Sequence, residues 1–310
     1  MLAAICCLFA ALFAEAKPLN LQIHLDRAGY SCSAIDGVWG EKSNIALRAY
    51  LLDRQLLKAN QATPSPEDVF KKLFSQLPPP FRFVEVTEAD HAALVKIPDE
   101  PAERANLGRM GYESLQEMFA ERGHLSQIAL AKLNPKANWP NPPTGTRLLL
   151  PDFPPVTDEF RAAETWRRQR PERPVAALVR ISLSGTIRAL DENGKTLLVL
   201  PCSIAADKRK IPPQGELKIT DCIAWPNYTY TPDRVEAGKK VRRYVWPFGE
   251  NCPVGIAWLG LNLPGYGIHG TPRPESIGFT GSHGCFRLAN WNAARLYAIC
   301  RSGTKVIIEP

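Results

Sequence analysis

Two histidines and a cysteine, His269, His283 and Cys285, fall within one stretch, GIHGTPRPESIGFTGSHGCFRLAN (residues 267–290), among five glycines. A thiol attacks as its thiolate, so it needs a neighbouring base or cation to draw off its proton, and a histidine brought close in space does this. Glycine lets the backbone approach a substrate and aim successive N–H groups at a developing oxyanion. Cys285 with a histidine is therefore a candidate nucleophile and base for acyl transfer, with the N–H groups of His283, Gly284 and Cys285 as candidate oxyanion donors. The same three side chains could instead hold zinc, since imidazole and thiolate are good ligands and three of them plus water make a catalytic site. No HExxH pattern and no supporting carboxylate pattern accompanies them, which argues against a metal. A surface loop with incidental residues is the reading without chemistry.

The segments around this stretch read as strands. VAALVRISLSGTIRALDENGKTLLVLPCSIA (175–205) gives strand, turn and strand, with DENG as a hairpin signal. GELKITDCIAW and VGIAWLGLNL continue the pattern, NWNAARLYAICRSG is a short helix ending near Gly303, and TKVIIEP is a last strand. Residues 175–310 are thus expected to form a mainly β domain with one late helix. Asn290 would cap that helix. Trp246, Tyr228 and Tyr230 could wall a cleft, although aromatics there more often belong to a core.

Upstream, Leu21, Ile23, Leu25, Ile45, Leu47 and Leu51 recur at helix-like intervals around a glycine-punctuated middle. The segment LQIHLDRAGYSCSAIDGVWGEKSNIALRAY resembles the peptidoglycan-binding repeat, with its helix, GY, IDGxWG and second helix. A breaker-rich stretch follows, ANQATPSPEDVF and then SQLPPPFRFVEV. YESLQEMFAERGHLSQIALAKLNPKANWPNPPTGTRLLLP (112–151) resembles a degenerate lysin motif, whose opening strand is hard to find here; a plain helical spacer is the alternative. Proline-bounded, charged residues then read as a linker. The expected organisation is a signal peptide at 1–16, a helical peptidoglycan-binding-like domain at 17–62, a connecting segment at 63–105, an α/β lysin-motif-like module at 106–152, a linker at 153–174 and a catalytic domain at 175–310.

The stretch IHGTPRPESIGFTGSHGCFRLAN resembles the catalytic motif of the L,D-transpeptidases, His-Gly followed by Ser-His-Gly-Cys-x-Arg. KIPPQGELKI is similar to that family's Thr-Pro-x-Gly segment, with Pro212 in place of Thr, and GENCPVGIAWLGL to its Asn-x-Pro-x-Gly segment, with Cys252 where Asn or Asp is common. The resemblance implies a β-sandwich that cross-links or trims peptidoglycan stem peptides without a metal or cofactor. It makes Cys285 the nucleophile and His269 its base, oriented by the Gly270 carbonyl. His283 and Gly284 would serve the oxyanion hole, and Ser282 and Arg287 would shape the pocket and bind substrate. The partners implied are a tetrapeptide donor and an amine acceptor on peptidoglycan, or a wall-attached protein. L,D-carboxypeptidase activity and a non-catalytic wall anchor are the alternatives.

Composition fits an exported globular protein. The chain has 310 residues, 45% of them hydrophobic and 22% charged, enough for two or three domains with sizeable cores. MLAAICCLFAALFAEAKP has the apolar run and small-residue end of a secretory signal, though no Lys or Arg precedes the run. The run is too short to span a bilayer, and no later one approaches ~20 apolar residues, so no stable membrane span is expected. The net charge of +7 favours polyanionic surfaces such as wall polymers. Nucleic acid is not expected, because no recognition motif or basic helix is present. Beyond residue 16 lie Cys32, Cys202, Cys222, Cys252, Cys285 and Cys300. An even count permits three disulfides outside the cytoplasm, and the absence of CxxC argues against a zinc ribbon.

Overall fold

The computed structural model describes residues 17–78, 80–169, 175–232, 242–279 and 284–310. The expected signal segment, Ser282 and His283 lie outside the described residues. Among the described residues no helix is long and apolar enough to cross a membrane.

Helices α1 (Lys17–Arg27) and α2 (Glu41–Asp53) form the first unit. Their register is set by a buried amide. Gln22 donates to Asp36 Oδ1, the Val38 carbonyl and Ser43 Oγ at 2.9–3.1 Å and accepts from the Gly37 N–H at 2.9 Å. It thereby holds the IDGVWG turn against both helices. The stretch expected as a connection at 63–105 contains more structure than that. Helix α3 (Pro66–Val69), capped by Ser65, runs into a π-helical turn, Phe70–Phe74. Val69 and Phe74 join Leu21, Leu25 and Leu47 in one apolar cluster. Strand β1 (Phe81–Glu85), which the sequence reading missed, pairs antiparallel with β2 (Arg147–Pro151), so the second unit begins near Phe81. Between these strands lie short helices α4 (Glu88–Ala92) and α5 (Pro101–Arg104), then α6 (Leu115–Arg122) and α7 (Gln127–Leu133). Ser114 and Ser126 cap α6 and α7 by accepting N–H groups of Glu117 and Ala129.

The expected linker at 153–174 instead carries the 14-residue helix α8 (Val156–Gln169). Val156, Phe160 and Ala163 recur at helical spacing and pack into the core of the β domain. Prolines and charges mask that face in the sequence.

The β domain consists of β3 (Leu178–Ser182), β4 (Thr186–Leu190), β5 (Thr196–Pro201), β6 (Gly215–Ala224), β7 (Tyr228–Tyr230), β8 (Tyr244–Trp246), β9 (Ala257–Leu261), β10 (Gly267–His269), β11 (Phe286–Arg287), helix α9 (Asn290–Ile299) and β12 (Lys305–Glu309). The expected two-sheet sandwich is, among the described residues, one bent sheet in the order β11-β10-β9-β6-β12-β3-β4-β5. Strand β6 makes the bend. Its first half pairs with β12 and its second with β9, with a register shift between Ile219 and Asp221. Both halves feed one core with Ala293, Ala294 and Ala298 of α9. Tyr228, Tyr230 and Trp246 form a separate pair of strands, and Trp246 is buried with Nε1 donating to the Pro101 carbonyl at 2.9 Å, so it packs on the second unit.

The units are fused by polar contacts. Residues 29–31 add to the edge of β5: the Val199 N–H donates to Gly29 O and the Ser31 N–H to Val199 O, both at 2.8 Å. Asp26 of α1, fully buried, accepts from Arg295 of α9 at 2.6 Å and from His124 Nδ1 at 3.0 Å. The His124 ring stacks between Phe153 and Trp291 at 3.9 and 4.8 Å. Burial alone would push the Asp26 carboxyl upward, but Arg295 and His124 outweigh it and hold the carboxyl well below its ordinary range. Burial holds the His124 imidazole down at about 4, so it is neutral at pH 7.

Removing one partner of a buried pair leaves the other charge uncompensated. Arg295→Met is therefore expected to destabilise the protein by about 3–5 kcal/mol in denaturant unfolding; a loss below ~1 kcal/mol would show that Asp26 does not depend on this guanidinium.

Candidate active site

Strands β10 and β11 run parallel, with Ile268 opposite Phe286 and His269 opposite Arg287. Side chains alternate faces along a strand, and Ile268 and Phe286 point into the core with no exposed surface. Gly267, His269, Cys285 and Arg287 therefore share the other face. Continuing the register back one residue sets Cys285 beside Gly267, whose N–H hydrogen-bonds to it. One strand spacing across and two residues along puts the Cys285 and His269 Cα atoms about 8 Å apart, within reach of side chains leaning toward each other.

The His269 ring is held in one tautomer. Its Nδ1 lies 2.6 Å from the Gly270 carbonyl oxygen. A carbonyl only accepts, so Nδ1 carries the proton and Nε2 keeps its lone pair. The ring also lies against Trp258, with centroids 5.7 Å apart and planes 18° from parallel. Trp258 faces His269 directly in the β9–β10 pairing. Only glycine at 267 permits this arrangement, because a Cβ there would lie 2.6 Å from the Trp258 ring.

Burial lowers the His269 imidazole to about 4, and the positive charge of Arg287 adds to the effect against the opposing pull of the Gly270 hydrogen bond. Burial pushes the Cys285 thiol up, partly offset by the Gly267 N–H. The thiol donates to the Gly265 carbonyl at 3.6 Å. The resting pair is thus thiol and neutral imidazole, in contrast to a preformed thiolate and imidazolium. Such a pair can attack a carbonyl when Nε2 takes the thiol proton during bond formation.

The other expected site residues are distributed as follows. Gly284 sits at φ +148° beside the Tyr266 ring and precedes Cys285. Arg287 lies next to His269, and its backbone exchanges hydrogen bonds with Ser203 at 2.9 and 3.0 Å. Ser282 and His283 lie outside the described residues. Among the described residues no group of three or more His, Cys, Asp or Glu side chains has a metal-site arrangement. Among the described residues no disulfide joins Cys32, Cys202, Cys222, Cys252, Cys285 and Cys300. Asn290 is not a helix cap. It is the first residue of α9, follows the cap Ala289, and turns its side chain inward to Glu121 and the Glu250 carbonyl. Trp258 and Asn290 are the contributions that sequence reasoning missed. The strand alternation of AWLGL could have put Trp258 on the outward face, but its partner depends on the pairing of β9 with β10.

Residues 176–308 match the family model YkuD, the L,D-transpeptidase catalytic domain. YkuD of Bacillus licheniformis is 28% identical over 199 residues, covering 64% of this chain and 94% of that one. YqjB of Bacillus subtilis is 32% identical over 112 residues, covering 34% and 57%. Both bear L,D-transpeptidase in their names. A solved L,D-transpeptidase from Mycobacterium smegmatis superposes on 44% of this chain and 59% of that one, at 19% identity and a TM-score of 0.34, too low to establish a shared fold. The β domain is thus related in sequence to the catalytic domains of the L,D-transpeptidases.

Trp258 covers the His269 ring and contributes to its burial. In Trp258→Ala the imidazole is expected to titrate higher than in the wild type, moving from about 4 toward its ordinary value near ~6.5, as followed by proton NMR of the ring. An unchanged titration would show that burial of His269 does not depend on this indole.

Proposed function

We propose that the protein is an exported L,D-transpeptidase that acts on peptidoglycan stem peptides through a thioester on Cys285. The observation that carries this reading is the Nδ1–Gly270 hydrogen bond, which leaves His269 Nε2 free as a base on the face that holds Cys285. The sequence relationship of residues 176–308 supports the reaction class.

In the first half-reaction the Cys285 sulfur attacks the carbonyl carbon of the third stem residue while Nε2 of His269 takes the thiol proton. The oxyanion is held by N–H groups at Gly284 and Cys285 together with that of His283. The C–N bond to D-alanine breaks as His269 returns the proton to the departing amine, leaving a thioester. In the second half-reaction an amine attacks the thioester, His269 takes its proton, and the thiol is regenerated. Arg287, with Ser282, contacts the donor near its carboxylate. A stem-peptide amine gives a cross-link, a protein lysine gives a wall-attached protein, and water gives a shortened stem. The helical unit at the amino-terminal end and the second unit, from β1 to β2, contribute wall binding.

Incubating residues 17–310 with a disaccharide-tetrapeptide tests this directly. The wild type is expected to release D-alanine and form a joined muropeptide, and Cys285→Ala to do neither. D-alanine release without joining would make water the acceptor, and equal activity in Cys285→Ala would remove the thiol from the reaction.

The resting protonation state yields a second test, the rate at which iodoacetamide alkylates Cys285 as a function of pH. Burial raises the thiol, so the thiolate fraction and the rate should climb through the alkaline range. A plateau from pH ~5 upward would instead indicate a thiolate–imidazolium pair.

A further inference from the structure

Behind His269 the β domain is completed by a side chain from the second unit. Asn290 is fully buried, and its Nδ2 donates to both carboxyl oxygens of Glu121, at 3.2 and 3.0 Å, and to the Glu250 carbonyl at 3.1 Å. These bonds fix which way the amide points. Its oxygen then faces two glycine Cα atoms: a Cβ on Gly270 would lie 2.3 Å from Asn290 Oδ1, and one on Gly255 2.1 Å from it. Gly270 carries the carbonyl that accepts the His269 Nδ1 proton. A continuous set of contacts thus runs from Glu121 on α6 through Asn290 on α9 and the Gly270 backbone to the imidazole.

Glu121 is itself anchored. The Tyr112 hydroxyl donates to its Oε1 at 3.0 Å. The loop that supplies the Glu250 carbonyl is tied to the same unit: the Met110 N–H donates to Phe248 O and the Asn251 N–H to Met110 O, both at 2.8 Å. Arg109 pairs with the Glu250 carboxylate, and Asn251 Nδ2 donates to Gly111 O at 3.0 Å. The second unit therefore grips both sides of the wall on which Gly270 rests.

We propose that Glu121 is a positioning residue for His269, acting through Asn290 to fix the Gly270 carbonyl and so the tautomer and direction of the ring. The β domain is then incomplete as an enzyme without the second unit, whatever that unit binds. This rests on the reading of His269 as the base.

The test uses residues 17–310 and three variants, Glu121→Leu, Glu121→Gln and Asn290→Ala, with thermal unfolding to establish that each is folded. Two readouts are followed: kcat and KM for D-alanine release from the disaccharide-tetrapeptide, and the NMR signal of the His269 Nδ1 proton, assigned by its loss in His269→Asn. Glu121→Leu is expected to lower kcat by about 10–100-fold with KM within about twofold and to broaden or lose the Nδ1 proton signal. Glu121→Gln keeps an acceptor for Asn290 and should recover most of kcat. A folded Glu121→Leu with wild-type kcat and a wild-type Nδ1 proton overturns the proposal. Should Glu121→Leu fail to fold, Asn290→Ala breaks the same connection from its other end and is judged by the same outcomes. A wild type that releases no D-alanine sinks the proposed reaction alone, and the Nδ1 proton comparison then decides the positioning role.

Discussion

The proposed chemistry depends on the short parallel pairing of β10 with β11. That pairing brings His269 and Cys285 to one face and turns Ile268 and Phe286 into the core. Two residues of pairing are little to hold a reactive geometry, and β11 is the edge of its sheet. Its second anchor is the bridge between Arg287 and Ser203. Its third is the buried helix α9, which follows almost at once and whose first residue wedges against Gly270 and Gly255. The rest of the sheet supports β10 in succession through β9, β6 and β12.

Burial sets the character of the site. An imidazole lowered to about 4 and a raised thiol give up the reactivity of a standing ion pair. In the proposed reaction proton transfer is then coupled to attack on a bound acyl group, which suits a nucleophile that meets its substrate only in the bound state. The β domain is also held from outside. The first unit covers the β5 edge, the second clasps the loop before β9, and Asp26, Arg295 and His124 lock all three together. Here the arrangement is that of a single body.

What the sequence made legible was local. The strands of 175–310 announce themselves by alternation and by the DENG turn, and the candidate site residues by spacing within one short stretch. The bend at β6 was not legible, because a single strand that changes partners midway has the same pattern as one that does not. Helix α8 was hidden because prolines and charges outweigh the spacing of Val156, Phe160 and Ala163. Strand β1 was hidden because FRFVE has meaning only beside RLLLP, its partner across four helices. The contact of Asn290 with Glu121 crosses 169 positions of sequence. From the sequence alone Asn290 has the look of a cap, and Glu121 of an ordinary charge on a helix surface. Both depend on how separate units dock.

The most direct test of the account is the covalent intermediate. Residues 17–310 would be mixed with a disaccharide-tetrapeptide, quenched in acid during turnover, and analysed by intact mass and peptide mapping. The account predicts an adduct of substrate mass less D-alanine on the peptide containing Cys285, labile to hydroxylamine as a thioester is. Turnover with no adduct, or with an adduct on another residue, would contradict it.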